Sequence, residues 1–158
     1  MNLYITSASM TTKHSKDNYI LLVEDNEDDI ALTRRALEKT NFKSNVVVAH
    51  DGQEAIDFLF EKEADAESNL PIVMLLDLNM PKIGGLEVLR RLRSDERTKN
   101  LPIVVLTTSD EQNDISESYN LGANSYIQKP LDMNEFFVAI QDLQSYWMKH
   151  NTPPPTYV

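Results

Sequence analysis

The sequence contains no cysteine. A disulfide framework and a thiolate metal site are both excluded, and the composition suits a reducing compartment. Histidine is nearly as scarce: His14, His50 and His150 lie far apart along the chain, which argues against a zinc cluster. No apolar run approaches the roughly 18 residues needed to cross a membrane, and residues 1–18 (MNLYITSASMTTKHSKDN) lack the continuous apolar core of a secretion signal. A soluble cytoplasmic protein is the expectation. Positive charge is also short: 15 Lys and Arg stand against 25 Asp and Glu, and the resulting net charge of −10 repels phosphate backbones. Direct nucleic-acid binding is not expected. The one basic cluster, Arg90, Arg91 and Arg93, shares its helix with Glu87 and reads as a solvated face.

What remains fits one domain. With 158 residues, 41% of them hydrophobic, the chain can bury a core but has no room for a second folded unit. From Tyr19 onward, short apolar runs alternate with stretches of helical period, and the pattern repeats five times: YILLV (Tyr19 to Val23), VVVA (Val46 to Ala49), IVMLL (Ile72 to Leu76), IVVL (Ile103 to Leu106) and SYI (Ser125 to Ile127). These runs lack polar alternation, as strands covered on both faces do. Between them, Ile30, Thr33 and Leu37 form one helical stripe, Ala55, Phe58 and Leu59 a second, and Leu86, Leu89 and Leu92 a third. Phe136, Ile140, Leu143 and Trp147 form the stripe of the last helix. The segment from Asp110 to Leu121 has few apolar residues, so its helix should be the most weakly packed. Pro71 and Pro102 suit strand starts, and tight turns are expected at Asp51-Gly52 and Gly84-Gly85.

Alternating β and α elements with right-handed crossovers predict an α/β fold: a flavodoxin-like, doubly wound, five-stranded parallel sheet of order 2-1-3-4-5 with five helices. The expected domain runs over residues 19–148. Residues 1–18 read as a disordered tail and 149–158 as a Pro-rich flexible one, because Thr152-Pro153-Pro154-Pro155 cannot continue a helix. Glu61 to Asn69 reads as an acidic loop.

In such a sheet, ligands bind beyond the carboxyl ends of the strands, near the point where strand order reverses. The first strand ends in Glu24-Asp25, the third in Asp77, the fourth in Thr107-Thr108 and the fifth in Lys129-Pro130. The predicted order brings these groups to one crevice. Three carboxylates held together repel one another and need a cation. Mg2+ takes oxygen ligands and retains waters, and Lys129 adds a permanent positive charge. A phosphorylated donor could then approach Asp77 as nucleophile, its oxygen charge meeting Mg2+, Lys129 and the Thr107 hydroxyl.

The Glu24-Asp25 pair, Asp77 within LLDLNMP, the Gly84-Gly85 turn, Thr107 in VVLTTS, Tyr126 and Lys129-Pro130 occur in order and at strand ends. On these residues the chain resembles the receiver domains of two-component response regulators over roughly residues 19–148. The resemblance implies that Asp77 is the phosphoacceptor. It further implies that Glu24, Asp25 and the Asn79 backbone carbonyl join Asp77 around Mg2+, that Thr107 follows the phosphoryl group, and that Tyr126 turns inward with it. Lys129 would be the cation and the Lys129–Pro130 bond cis. Gly84 stands where many receivers have Asp, and Glu24 replaces an Asp and lengthens a water-mediated contact. The VEDNEDD start, the acidic loop, Thr-Thr-Ser and the terminal SYW resemble single-domain regulators associated with cyanobacterial and bacterial phytochromes. That implies a histidine kinase of phytochrome type as partner. With no output domain following Trp147, a homodimer through the fourth helix, fifth strand and fifth helix is expected, using Phe137, Tyr146, Trp147 and Met148.

Competing functions are a phosphatase or phosphotransferase of the haloacid-dehalogenase type, a flavodoxin-like cofactor carrier and a docking module that never turns over phosphate. The first needs an acid two residues after the nucleophile, where Asn79 stands. The second needs a phosphate cradle where the chain has EDNEDD. The third is opposed by the intact set of site residues.

Overall fold

Five parallel strands in the order β2-β1-β3-β4-β5 form the centre of the molecule. This computed structural model describes residues 18–39, 45–61, 70–130 and 132–155. The expected N-terminal tail, apart from Asn18, and nearly all of the acidic loop after Glu61 lie outside the described residues. The elements are β1 (Tyr19–Val23), α1 (Glu27–Glu38), β2 (Asn45–Ala49), α2 (Gly52–Phe60), β3 (Val73–Leu76), α3 (Gly85–Arg93), β4 (Ile103–Thr107), α4 (Gln112–Asn120), β5 (Ser125–Gln128) and α5 (Met133–Ser145). A π-helical turn (Tyr146–His150) ends the last helix. The predicted strand order, the parallel pairing and the number of elements all agree with this architecture. No helix among the described residues is long and apolar enough to cross a membrane.

The pleat of the strands divides the core into two layers. Tyr19, Leu21 and Val23 of β1 point to one face and join Ala55 and Leu59 of α2 and Val88, Leu89 and Leu92 of α3. Ile20 and Leu22 point to the other face and meet Ile30, Ala36 and Leu37 of α1 with Phe136, Ile140 and Leu143 of α5. The helical stripes read from the sequence pack against the core, with Phe58 and Trp147 only partly buried there and one correction in α3. In α3 the buried positions are Gly85, Val88, Leu89 and Leu92, while Leu86 is only half-buried, because the wide apolar face is centred one residue later. In α4 the only buried residue is Ser118, whose hydroxyl donates to the Asp114 carbonyl at 2.7 Å, and Tyr119 is half exposed.

Helix starts follow local chemistry. Asn26 caps α1 through its side chain, accepting from the Asp29 amide, and Asp51 caps α2 by accepting from Glu54 at 2.8 Å. The glycines of the two predicted turns serve a purpose other than the expected one. Neither Gly52 nor Gly84-Gly85 has a positive φ; that conformation is found at Lys82 (65°) and Gly122 (102°). What Gly52 and Gly85 permit is close approach. A Cβ on Gly52 would lie 2.4 Å from the Ile83 carbonyl oxygen, and one on Gly85 would lie 2.3 Å from that of Asp77. The β2–α2 turn is thereby pressed against the loop after β3, where Lys82 also donates to Asp51 at 3.3 Å. At Gly84 the nearest atom would be 3.4 Å away, an ordinary contact.

These distances predict different outcomes for two similar substitutions. Gly52→Ala should cost about 1–3 kcal/mol of unfolding free energy, since backbone oxygen cannot step aside, whereas Gly84→Ala should lie within roughly 0.5 kcal/mol of wild type. Urea denaturation of both variants checks this, and equal stabilities would refute the close-approach explanation.

Candidate functional site

The parallel ladder continues one residue past the strands and thereby sets the site. The Glu24 amide donates to Ala49 at 3.0 Å, the Asp77 amide to Val23 at 3.1 Å and the Lys129 amide to Thr107 at 2.7 Å. Each strand-end residue is thus fixed by its neighbour's backbone rather than by a free loop. Carboxylate oxygens of Glu24, Asp25 and Asp77 lie within 4.8 Å of one another. Glu24 and Asp77 are buried at 3% and 7% exposure, while Asp25 faces solvent. Thr107 is fully buried at the end of β4.

The buried Lys129 ammonium partly neutralises this cluster. It donates to Glu24 Oε1 in a short contact and to Asp29 Oδ2 at 3.0 Å. The other oxygen of Glu24 accepts from the amides of Asp25 (3.1 Å) and Asn26 (3.3 Å). Burial pushes the Glu24 carboxyl up to about 7; the Lys129 bond and charge oppose that rise, and the nearby Asp77 adds to it. For Lys129, burial alone favours the neutral amine, but Glu24, Asp77 and Asp29 outweigh it, and the ammonium is held above its usual range.

The donor set suits a hard divalent cation, since three carboxylates converge with no softer ligand in the group among the described residues. Glu24 has both oxygens engaged, one by Lys129 and the other by the Asp25 and Asn26 amides. Asp25 and Asp77 are the other two carboxylates of the cluster, the first facing solvent and the second buried. Asn79, two residues beyond Asp77, is exposed.

On the flank, the Tyr126 hydroxyl donates to the Ser109 carbonyl at 2.8 Å, tying β5 to the β4–α4 loop. Ser109 in turn donates from its hydroxyl to Asp114 at 2.6 Å, and its amide approaches the Thr107 hydroxyl oxygen at 3.5 Å. The sequence reading missed Asp29, Ser109 and Asp114. Nothing in their spacing marks them, because each matters through a partner placed by the fold.

Two expectations need correction. There is no cis peptide bond among the described residues, so Lys129–Pro130 is trans and not cis as the resemblance implied. The preference between the two forms at an X-Pro bond is small, and the trans form still delivers Lys129 to Glu24. The second concerns α5. Phe137, Trp147 and Met148 were expected at a dimer surface, but all three are partly buried and pack against the second core layer. Lys39, which caps the end of α1, lies 4.8 Å over the Phe137 ring, because α1 packs alongside α5 and covers a second face of it. Past Ser145 the π turn, closed by the Asn151 amide on Tyr146 at 2.7 Å, breaks the α-helical phase used to assign faces. Tyr146, edge-on to Trp147, is 51% exposed, and Val138, 56% exposed, was not anticipated.

The acidic first turn of α1 (Glu27, Asp28, Asp29) opposes a phosphate cradle of the flavodoxin kind. Known proteins point to a different class. A family model described as the response regulator receiver domain matches residues 20–141. "Probable methanogenesis regulatory protein FilR2" of Methanothrix harundinacea is 38% identical over 85% of this chain and 86% of its own length. Response regulator Rcp1 of Synechocystis is 34% identical over 92% of this chain and 99% of its own. Among solved structures, the phosphorylated cyanobacterial phytochrome response regulator RcpA superposes with a TM-score of 0.80 at 38% identity, covering 87% of this chain and 99% of its own. The Mn2+-bound form of Rcp1 gives 0.79 at 35% identity, with 87% and 99% covered.

The raised Glu24 carboxyl implies a pH-dependent stability in chelator. The folded state keeps a proton that the unfolded chain releases between the ordinary value of 4.5 and about 7. This contribution is therefore full below the unfolded value and is lost as pH rises through the folded one. Between about pH 5 and pH 8 the unfolding free energy should fall by roughly 1–3 kcal/mol, and Glu24→Gln should flatten the slope. Urea titrations in EDTA at several pH values test it; a wild-type slope matching that of the variant would contradict the assignment.

Proposed function

The chain belongs to the response-regulator receiver-domain family, and from that footing we propose that Asp77 accepts a phosphoryl group, with Mg2+, from a histidine kinase of phytochrome type in the cytoplasm. The observation that carries this reading is the buried Asp77 carboxylate, within 4.8 Å of Glu24 and Asp25 at the mouth of the sheet. The receiver domain would occupy residues 19–148, with 1–18 and 149–158 as tails.

In the transfer, an Asp77 carboxylate oxygen forms a bond to phosphorus as the bond from phosphorus to the kinase imidazole nitrogen breaks. The nitrogen keeps the electron pair and the product is an acyl phosphate. When bound by Asp25, Asp77 and the Asn79 carbonyl, a divalent cation supplies positive charge to the phosphoryl oxygens. Lys129 supplies a second positive charge, and Thr107 offers a hydroxyl to a phosphoryl oxygen. Movement of Thr107 at the end of β4 toward that oxygen would draw on the loop that follows, releasing Tyr126 from Ser109 and letting the ring turn inward.

A kinase of phytochrome type is supported by the similarity to RcpA and Rcp1 along nearly their whole lengths. Output through α4, β5, α5 and the final turn is supported by the large apolar side chains exposed on these elements: Tyr119 (50%), Met133 (54%), Val138 (56%) and Tyr146 (51%). A symmetric homodimer would bury them, with Phe137, Trp147 and Met148 half-covered beneath.

Two experiments test the reading. Incubation with acetyl phosphate and Mg2+ should add one phosphoryl group by intact mass, and the addition should be abolished in Asp77→Asn and by EDTA; an equal gain in the variant would sink the assignment. For the dimer, equilibrium sedimentation at tens of micromolar should show association that Val138→Glu with Tyr146→Glu weakens at least tenfold. A wild type that stays monomeric with and without beryllofluoride would rule the dimer out.

A further inference from the structure

Resting on the reading of Asp77 as phosphoacceptor, we propose that Asp29 is a positioning residue that tethers the Lys129 ammonium in the resting site, so that phosphoryl binding must first exchange this bond. Lys129 donates to Glu24 and Asp29, and neither acceptor is Asp77. The cation expected to meet the phosphoryl group is therefore turned toward the ends of β1 and α1 before the anion arrives.

The two acceptors are not equivalent. The Glu24 side chain is 4% exposed, so removing its ammonium partner would leave a buried oxygen unsatisfied. The Asp29 side chain is 34% exposed, and water can take over its bond. Exchange costs less at Asp29, which makes it the bond that opens when Lys129 swings toward Asp77.

Asp29 also sits on a rigid mount. Its amide donates to the Asn26 cap at 3.0 Å, and its carbonyl accepts from the Thr33 hydroxyl at 2.7 Å. The first turn of α1 thus holds the carboxylate in place, and its reach to Lys129 is a consequence of the fold. The same negative charge also repels the incoming anion, so both effects oppose phosphoryl binding.

Asp29→Asn keeps the backbone bonds and the side-chain shape while removing the charge. Titration of the Mg2+-loaded protein with beryllofluoride should show about two- to fivefold tighter binding in Asp29→Asn than in wild type. A second readout separates tethering from general electrostatics. In the metal-free protein, the Lys129 ammonium 15N resonance of Asp29→Asn should already lie displaced from its wild-type position toward that of the beryllofluoride-bound wild type. Equal affinities in the two proteins, or an unmoved Lys129 resonance, would overturn the tether while leaving the phosphoacceptor reading intact. A wild type that binds no beryllofluoride would overturn both.

Discussion

The Lys129 ammonium allows a crevice lined with carboxylates to exist in a folded chain. Lys129 directly follows β5, which is separated from β1 by β3 and β4, so its bonds to Glu24 and Asp29 span the carboxyl edge of the sheet. Breaking a buried pair by removing one partner typically costs about 3–5 kcal/mol, because the other charge is left unpaired. The site is therefore a structural joint as well as a chemical one. A group that draws Lys129 away from Glu24 or Asp29 would loosen a network that β1, α1 and the end of β5 share.

Around this joint the scaffold is unevenly rigid. On the acidic side, glycine contacts and the Asp51–Lys82 bond pin the loop after Asp77 to the start of α2. Arg93 extends the bracing at the far end of α3, donating to Gly122 at 2.9 Å, Thr98 at 3.2 Å and Asn124 at 2.9 Å. Asn124 also accepts from the Ile103 amide at 2.8 Å, so a single side chain joins α3, the start of β4 and the α4–β5 loop. By contrast, α4 buries only Ser118, and the loop before it is held by the Ser109, Asp114 and Tyr126 hydrogen bonds. Elements with few buried apolar contacts open at low free-energy cost. A change at Asp77 would be expected to surface on the α4 side, where the fold yields.

Much of this was legible in the sequence because it depends on near neighbours in the chain. The repeat of apolar runs and helical stripes determined the five βα units and the sheet order. The same pattern placed Glu24, Asp25, Asp77, Thr107 and Lys129 at strand ends, and the weak stripe from Asp110 to Leu121 foretold a loosely packed α4. In a doubly wound parallel sheet all strand ends face the same edge, so their convergence followed without coordinates.

Tertiary structure alone decided how these pieces engage. The partnership of Lys129 with Asp29 joins residues 100 apart in the chain, and no local pattern encodes it. The packing of α1 against α5 determined which apolar groups of the last helix are covered, and the π turn shifted the phase that a regular helix would have kept. The reason for glycine at 52 and 85 was likewise the backbone lying opposite each position, and not the dihedral angles of a turn. Periodicity and strand-end chemistry are local properties of the chain, whereas side-chain pairing and steric fit depend on which distant segments the fold brings within a few ångströms.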